Sequence, residues 1–386
     1  MNTLPFAHLR LLELASVLAG PQVGQFFAEL GAEVLKIESP AGDVTRTWKT
    51  AAETASTSAA GDASVSAYFA ASNWGKKSLV LDLTTASGQA ALRHHAATAD
   101  IVLASYKPGD AEKLQADYAT LSKANPRLIY GHLTGYGPEN ARAGYDAVLQ
   151  AEAGFMHLNA AGPGHPPQKM PVAMVDLLAA HQLKEGLLTA LFQRERTGRG
   201  ALVQVSLLDS ALASLANQAA TFLVTGQDPQ PLGSGHPSIV PYGTVYRAAN
   251  GRQLVLAVGS DGQFRYLCAA LDRAKWASNS RFATNTARVA HRAELEALLT
   301  GRIGEVNGDE LLAALERRAV PAGAVRTVGE ALAHPAAQEM LLPGANSLRA
   351  GLRTVAFRSP EWTVATQLPA PPTLDSGFGA AISAVQ

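Results

Sequence analysis

Between Leu9 and Leu133 one pattern repeats, a short apolar run followed by a helical stretch, and this alternation restricts the fold more than any other feature. Leu9 to Leu14 reads as a first strand, and Ala19-Gly20-Pro21 makes the turn after it. Pro21 suits the first position of a helix that reaches Leu30, where Gly31 stops it. Glu33 to Glu38 (EVLKIE) is the second strand and Ser78 to Leu83 the third. Ser87 to Thr98 then reads as a helix, Ile101 to Ser105 as a strand, Ala111 to Ala124 as a helix and Arg127 to Leu133 as a strand. Strands separated by helices pair in parallel, with the helices as crossovers. The expected class is α/β with a mostly parallel sheet.

The stretch Pro171 to Gly200 carries the second strong signal. A short apolar run, Val172 to Val175, meets Asp176, and Leu177, Ala180, Leu183, Leu187, Ala190 and Leu191 then recur at helical spacing, with Gly198 and Gly200 closing the segment. Asp176 stands where a helix N-cap belongs, beside free N–H groups and the positive end of the helix dipole, which keep a carboxylate ionised. Two readings follow, a capping residue and a poised nucleophile. Ala201 to Val205 is a strand and Leu207 to Leu223 a helix, before a Gly- and Pro-rich linker from Gly226 to Val240. Tyr242 to Val258 alternates as a hairpin around Ala249-Asn250-Gly251. Helices near Gln263 to Leu271, His291 to Ile303 and Gly308 to Arg318 complete a smaller α+β unit, and short strand-like segments follow from Leu342. The expected division is a discontinuous large domain, 1–224 and 337–386, and a small domain, 225–336. Ala51 to Ser66, rich in Ala, Ser, Thr and Gly, reads as an exposed loop.

Composition removes several function classes. With 32 basic and 32 acidic residues, no bulk field favours nucleic acid or an anionic membrane, so a polyanionic ligand needs a local cluster. The single cysteine, Cys268, rules out an intrachain disulfide and multi-cysteine metal sites. The N-terminal residues show no signal-peptide pattern and no apolar run reaches spanning length, so a cytoplasmic protein is expected. Glu38 ends the second strand where a dinucleotide's ribose would be held. The turn VLAGPQVG lacks the three-glycine pattern, however, which leaves Glu38 a structural hydrogen-bonding role. His94-His95, His157, His165 and His181 lack metal-ligand spacing, and Gly233-Ser234-Gly235 has no nucleophile-elbow context. Basic residues gather at Lys76-Lys77, Lys107 and Lys113, with Arg142 preceding Tyr145-Asp146. The carboxyl ends of parallel strands would bring Lys107 to a phosphate.

Several segments together make the chain resemble a family III CoA-transferase, the CaiB/BaiF-like group that includes formyl-CoA transferase and carnitine CoA-transferase. They are LELASVLAGPQVGQFFAELGAEVLKIESPAGDVTR (Leu12 to Arg46), NWGKKSLVLDL (Asn73 to Leu83), ADIVLASYKPG (Ala99 to Gly109), NPRLIYGHLTGYG (Asn125 to Gly137) and GYDAVLQAEAG (Gly144 to Gly154). The Asp176 to Gly200 segment ending TGRG, GSGHPSIVPY (Gly233 to Tyr242) and PAGAV (Pro321 to Val325) continue the series in the same order. The resemblance implies a large Rossmann-like domain and an interlocked, ring-like homodimer. It makes Asp176 the nucleophile that attacks an acyl-CoA thioester and passes through an anhydride and an aspartyl-CoA thioester. It places Val17, Ser39, Leu81, Ser105, Tyr106, Lys107, Lys113, Leu114 and Arg142 at the coenzyme A site. Leu18, Tyr145, Asp146 and the shielding loop Gly233-Ser234-Gly235-His236 fall near the reacting groups, with His236 alternatively bracing that loop. The partners implied are an acyl-CoA and a carboxylic acid, with no metal. The GSGHPSIVPY loop resembles that of members acting on succinyl-CoA and dicarboxylates.

Three departures matter. Leu18 replaces a glutamine that some members place beside the reacting carboxylate, and Ser39 replaces a CoA-contacting arginine. The tail LDSGFGAAISAVQ lacks the usual final motif. The alternative within the superfamily is a 2-methylacyl-CoA racemase, which needs a histidine before the acid at Asp146; Tyr145 stands there instead. The alternative of another class is a CoA-binding protein without catalysis.

Overall fold

The computed structural model describes residues 3–54, 65–345 and 348–376, which fall into two compact units. The first unit comprises the described parts of Met1–Ala153, Pro171–Ala216 and Ala336–Gln386, and the second comprises Gly154–Met170 and Asn217–Pro335. Residues 154–170 and 217–224, assigned by sequence to the large domain, group with the second unit, and Ala336, assigned to the small one, groups with the first.

The first unit is built on six strands: β1 (Arg10–Leu14), β2 (Glu33–Glu38), β3 (Lys76–Val80), β4 (Ile101–Ala104), β5 (Ile129–Thr134) and β6 (Leu202–Ser206). They lie in the order β3-β2-β1-β4-β5-β6, and every neighbouring pair is parallel. The chain therefore winds outward from β1 in both directions, and the order reverses between β1 and β4. Such a switch point opens a crevice beyond the carboxyl ends of the strands.

Helix α1 (Ala19–Glu29) crosses from β1 to β2 and buries Val23 and Phe27 completely. Pro21 is its third residue, two places later than expected, and Gly31 ends it at φ +103°. Helix α2 (Ala86–Ala96) follows β3. The helix expected over Ala111 to Ala124 is two short pieces, α3 (Asp110–Lys113) and α4 (Tyr118–Leu121), because Gln115 takes a left-handed φ of +53° between them. Helices α5 (Asp146–Glu152), α6 (Met174–Thr197) and α7 (Leu207–Ala213) complete the winding. Leu207 to Leu223 is likewise interrupted, since Ala216 has φ +46° before a separate helix, Ala216–Thr225.

The 24-residue α6 buries Val175, Ala179, Leu183 and Leu187, four apart and each fully inaccessible. Each Leu or Val side chain so buried contributes about 1.5–3 kcal/mol. Its seat on the sheet depends on Gly131 of β5, where a Cβ would lie 3.1 Å from both Leu103 Cδ2 and Leu183 Cδ1. Strand β3 begins earlier than its apolar run because Lys76 is itself buried, its charge met by Glu13 Oε2 at 2.7 Å. The segment after Ala336 returns to this unit. Gly75 N donates to Pro369 O at 2.9 Å, and Val80 N donates to Asp375 Oδ1 at 3.1 Å. Of the expected exposed loop, residues 51–54 are helical, 55–64 lie outside the described residues, and Ser66 is a buried cap that accepts from Phe69 N.

The second unit has an antiparallel sheet, β7 (Tyr242–Arg247), β8 (Gln253–Ala257) and β9 (Ala322–Ala324), with β7 and β8 joined as the expected hairpin. Helices α8 (Asp261–Ala270), α9 (Arg292–Gly304) and α10 (Gly308–Glu316) supply Phe264, Leu267, Leu299 and Leu315 to its core. Arg288, fully buried there, donates to Val240 O (2.7 Å), Phe282 O (2.9 Å) and Asp261 Oδ1 (2.8 Å). Two further strands, β10 (Leu341–Ala345) and β11 (Leu348–Leu352), pair antiparallel in the first unit.

Candidate active site

A cavity of about 310 Å³ opens at the switch point of the parallel sheet. Its walls are the residues that follow three strands: Ser16 to Ala19 after β1, Ser105 to Pro108 after β4, and Leu133 to Gly135 at the end of β5. Asn140, Arg142 and Tyr145 close one side, and Asp176 from the first turn of α6 projects into the same space. The cavity thus lies where parallel α/β sheets hold ligands.

Asp176 is 9% exposed and is the third residue of its helix, not the N-cap expected from the sequence. Ala173 occupies the N-cap and makes no side-chain cap bond. The capping work falls to another carboxylate. Asp146, at the start of α5, accepts from Val175 N through Oδ1 at 2.8 Å and from Gln150 Nε2 through Oδ2 at 2.8 Å. Gln150 Nε2 also donates to Val172 O at 3.3 Å, so α5 fixes the entry of α6 from outside. Asp176 itself remains in the first turn, where a helix terminus favours negative charge.

The sequence candidates divide into three groups. Val17, Leu18, Ser105, Tyr106, Lys107, Arg142, Tyr145 and Asp176 are brought together around the cavity, with Asp146 behind it on α5. Ser39, Leu81, Lys113 and Leu114 belong to the same unit but are not among the lining residues. Leu81 is buried in the sheet core, and Leu114 packs against that core. Lys113 pairs with Asp110 at 3.0 Å on the surface, and Ser39 is exposed. Lys76, part of the basic grouping read from sequence, is committed to Glu13.

Gly233, Ser234, Gly235 and His236 lie in the second unit, in a tightly tied loop. His236 N donates to Tyr242 O at 2.9 Å, and its Nδ1 accepts from Ser238 N at 3.1 Å. Arg292 NH2 donates to the carbonyls of His236 (2.7 Å) and Pro237 (3.0 Å). His236 therefore braces the loop.

Two features of the cavity wall bear on charge. Burial pushes the Tyr106 phenol up to about 12, so it is neutral at physiological pH. Arg142 sits with its guanidinium 4.2 Å over the Tyr136 ring and pairs with Glu152 at 2.6 Å, which orients a cation at the rim. Sequence reasoning missed Thr134, Gly135 and Asn140, although the carboxyl end of β5 is a place the strand rule points to. Gly135 is needed because a Cβ there would come within 2.5 Å of Gly144 Cα. It also missed Tyr68, which stacks edge-on against Trp48 at 5.1 Å. Burial and then the carboxylates of Asp176, Asp146 and Asp43 raise its phenol above the usual range. Glu38 is the structural residue expected, bound by Arg46 (2.7 and 2.8 Å), Ser78 Oγ (2.5 Å) and Asp43 N (2.8 Å). Among the described residues no group of His, Cys, Asp and Glu is placed to hold a metal ion, and no single helix is long and apolar enough to cross a membrane.

A parallel α/β sheet with a buried carboxylate and cationic side chains around a cavity at its switch point is the arrangement in which doubly wound domains hold ligands. The chain belongs to CoA-transferase family III, whose model matches residues 6–376, and it is an enzyme of the CoA-transferase class. It is 40% identical to a succinate–glutarate CoA-transferase of Agrobacterium fabrum, over 86% of this chain and 83% of that one. It is 33% identical to the human succinyl-CoA:glutarate CoA-transferase, over 86% and 74%. A CAIB/BAIF family protein from Brucella suis has the same fold, with a TM-score of 0.84, 38% identity and coverage of 100% of this chain and 99% of that one.

Proposed function

We propose that this protein moves coenzyme A from an acyl-CoA to a free carboxylic acid, with Asp176 as the covalent nucleophile. The observation that carries the reading is the position of Asp176: a carboxylate in the first turn of α6, facing a cavity that also holds Lys107 and Arg142. A carboxylate oxygen of Asp176 attacks the thioester carbonyl, the C–S bond breaks, and CoA leaves as a thiolate. A mixed anhydride joins Asp176 to the donor acyl group. The thiolate attacks the aspartyl carbonyl, forms a C–S bond and expels the donor acid as its carboxylate. The acceptor carboxylate then attacks the aspartyl-CoA carbonyl and releases the thiolate, which takes the acceptor acyl group and frees Asp176. No step gains or loses a proton, which suits a site whose reacting side chain is a carboxylate. Each exchange replaces one difficult transfer by easier ones.

Lys107 and Arg142 supply positive charge for the phosphates of CoA, and Tyr106 with Val17 supplies apolar surface. Leu18 offers no side-chain donor, and the Ser16 and Val17 N–H groups are taken by Ser105 Oγ and Asp43 Oδ2, so the backbone N–H groups of Leu18 and Ala19 at the start of α1 are the oxyanion donors in this reading. The names of the relatives favour dicarboxylic acids, with succinyl-CoA as the donor. A homodimer and a cytoplasmic setting belong to the same proposal. Tyr145 before Asp146 removes the histidine that racemisation needs.

The test is a matrix of acyl-CoA donors against carboxylic acids, run with the unaltered protein and with Asp176→Ala. Transfer to a dicarboxylate is expected, falling roughly 10⁴-fold or more in the variant. Full transfer by Asp176→Ala overturns the mechanism.

A further inference from the structure

The turn that carries Val17 and Leu18 into the cavity is in an unfavourable conformation. Val17 has φ +70°, a left-handed value that a β-branched residue adopts only when its surroundings impose it. Two buried charges grip the turn on either side of Ser16. Lys36 Nζ donates to Ala15 O at 2.8 Å, and Val17 N donates to Asp43 Oδ2 at 3.3 Å. The same Oδ2 is 3.0 Å from Lys36 Nζ, so the two grips are one ion pair.

Both ends of the pair are anchored. Asp43 Oδ1 accepts from Thr45 N (3.0 Å) and Thr45 Oγ1 (2.7 Å), while Lys36 also reaches Glu13 Oε1 at 3.0 Å. Glu13 is held in turn by Lys76, whose amine burial lowers to about 8. Burial works against the charge on Lys36, yet Glu13 and Asp43 hold its amine above the usual lysine value. Lys36 and Thr45 do the converse for Asp43 and hold its carboxyl below. A buried ion cluster is weak evidence for stability in itself, since apolar residues of the same volume often serve as well. Here Lys76 ties the cluster to Pro21 O of α1 at 2.9 Å and to Asn73 Oδ1 at 3.0 Å, while Lys36 and Asp43 reach one strained turn of the cavity wall.

We infer that Asp43, backed by Lys36, is a positioning residue that holds the Ala15–Val17 turn in its left-handed form and so sets the cavity wall facing Asp176. The inference rests on the transferase reading and extends it to residues that touch no substrate. A misplaced wall lowers turnover more than it lowers binding, because geometry matters most in the transition state.

The test uses glycine, which adopts a positive φ freely. Asp43→Asn keeps the side-chain volume, but its amide group cannot accept from both Thr45 and Val17 while also meeting Lys36. It is expected to lower kcat by about tenfold or more, with KM for acyl-CoA changed by less than about threefold. On a Val17→Gly background the same Asp43→Asn change is expected to lower kcat by less than about threefold, because residue 17 no longer needs to be held. Equal losses in the two backgrounds overturn the inference and leave Asp43 a general packing residue. A crystal structure of Asp43→Asn gives a readout independent of activity. Residue 17 is expected to relax to negative φ, and an unchanged positive φ overturns the clamp. Absence of CoA transfer in the unaltered protein is a different outcome, since it removes the transferase reading and the catalytic role together.

Discussion

At the scale of single residues, two carboxylates divide the work at the start of α6. Asp146 takes the Val175 N–H, so Asp176 is held at the helix terminus without having to cap it. A sequence shows an acidic residue before an apolar helical repeat but not which carboxylate arrives from elsewhere to cap it, which is why Asp176 reads as the cap. Gly24 shows the same dependence on distant partners. In the interior of α1 an alanine normally gains about 1 kcal/mol over glycine. A Cβ here would fall on Glu13 Oε2 and lie 3.1 Å from Lys76 Nζ. Overpacking costs roughly 1–3 kcal/mol, and loss of a buried ion pair adds to it. Gly24→Ala is therefore expected to destabilise by about 2 kcal/mol or more in equilibrium denaturation. A stabilised variant would contradict the rigid packing of the Glu13 cluster.

At the scale of elements, strands and crossovers were largely legible, since buried parallel strands are apolar runs and glycines mark helix ends. EVLKIE is β2 to the residue, and the Asn250-Gly251 hairpin is as read. The failures have specific causes. Gln115 and Ala216 break their helices by adopting positive φ, and neither carries the glycine or proline that signals a break. Lys76 hid the start of β3 because a buried lysine is readable only once Glu13 is known to face it. A clasp between α1 and the C-terminal segment was also invisible. Buried Glu29 accepts from Thr354 N (2.7 Å), Thr354 Oγ1 (2.9 Å) and Val355 N (3.2 Å). Hydrogen bonds to a charged group contribute about 1.5–3 kcal/mol each, and truncation leaves buried donors unpaired. Glu29→Ala is expected to cost about 3 kcal/mol in urea denaturation, with Glu29→Gln recovering part of the loss. A cost under about 0.5 kcal/mol would show that the clasp contributes little.

At the scale of the whole chain, the strand order places the cavity between β1 and β4; the alternation in the sequence implies parallel pairing, while the return of β4 to the far side of β1 is seen only in the structure. Eight of the residues chosen from the sequence meet around that cavity: seven follow a strand end or stand at the start of a helix, and Arg142 lies in the loop between β5 and α5. Ser39, Leu81, Lys113 and Leu114, placed at the site by the resemblance alone, do not line it: Leu81 and Leu114 are taken up by the sheet core, Lys113 pairs with Asp110, and Ser39 is exposed. Of the divergent ending, Leu374 to Ser376 are described and Asp375 Oδ1 accepts from Val80 N at 3.1 Å, while the residues beyond Ser376 lie outside the described residues. Covalent participation of Asp176 is open to direct detection by mass spectrometry. The protein is incubated with succinyl-CoA, quenched in acid and digested. A CoA thioester is expected on the peptide that contains Asp176, converted to a hydroxamate by hydroxylamine and missing from Asp176→Ala. A CoA adduct on any other residue, or steady transfer to an acceptor acid with Asp176 replaced, would contradict it.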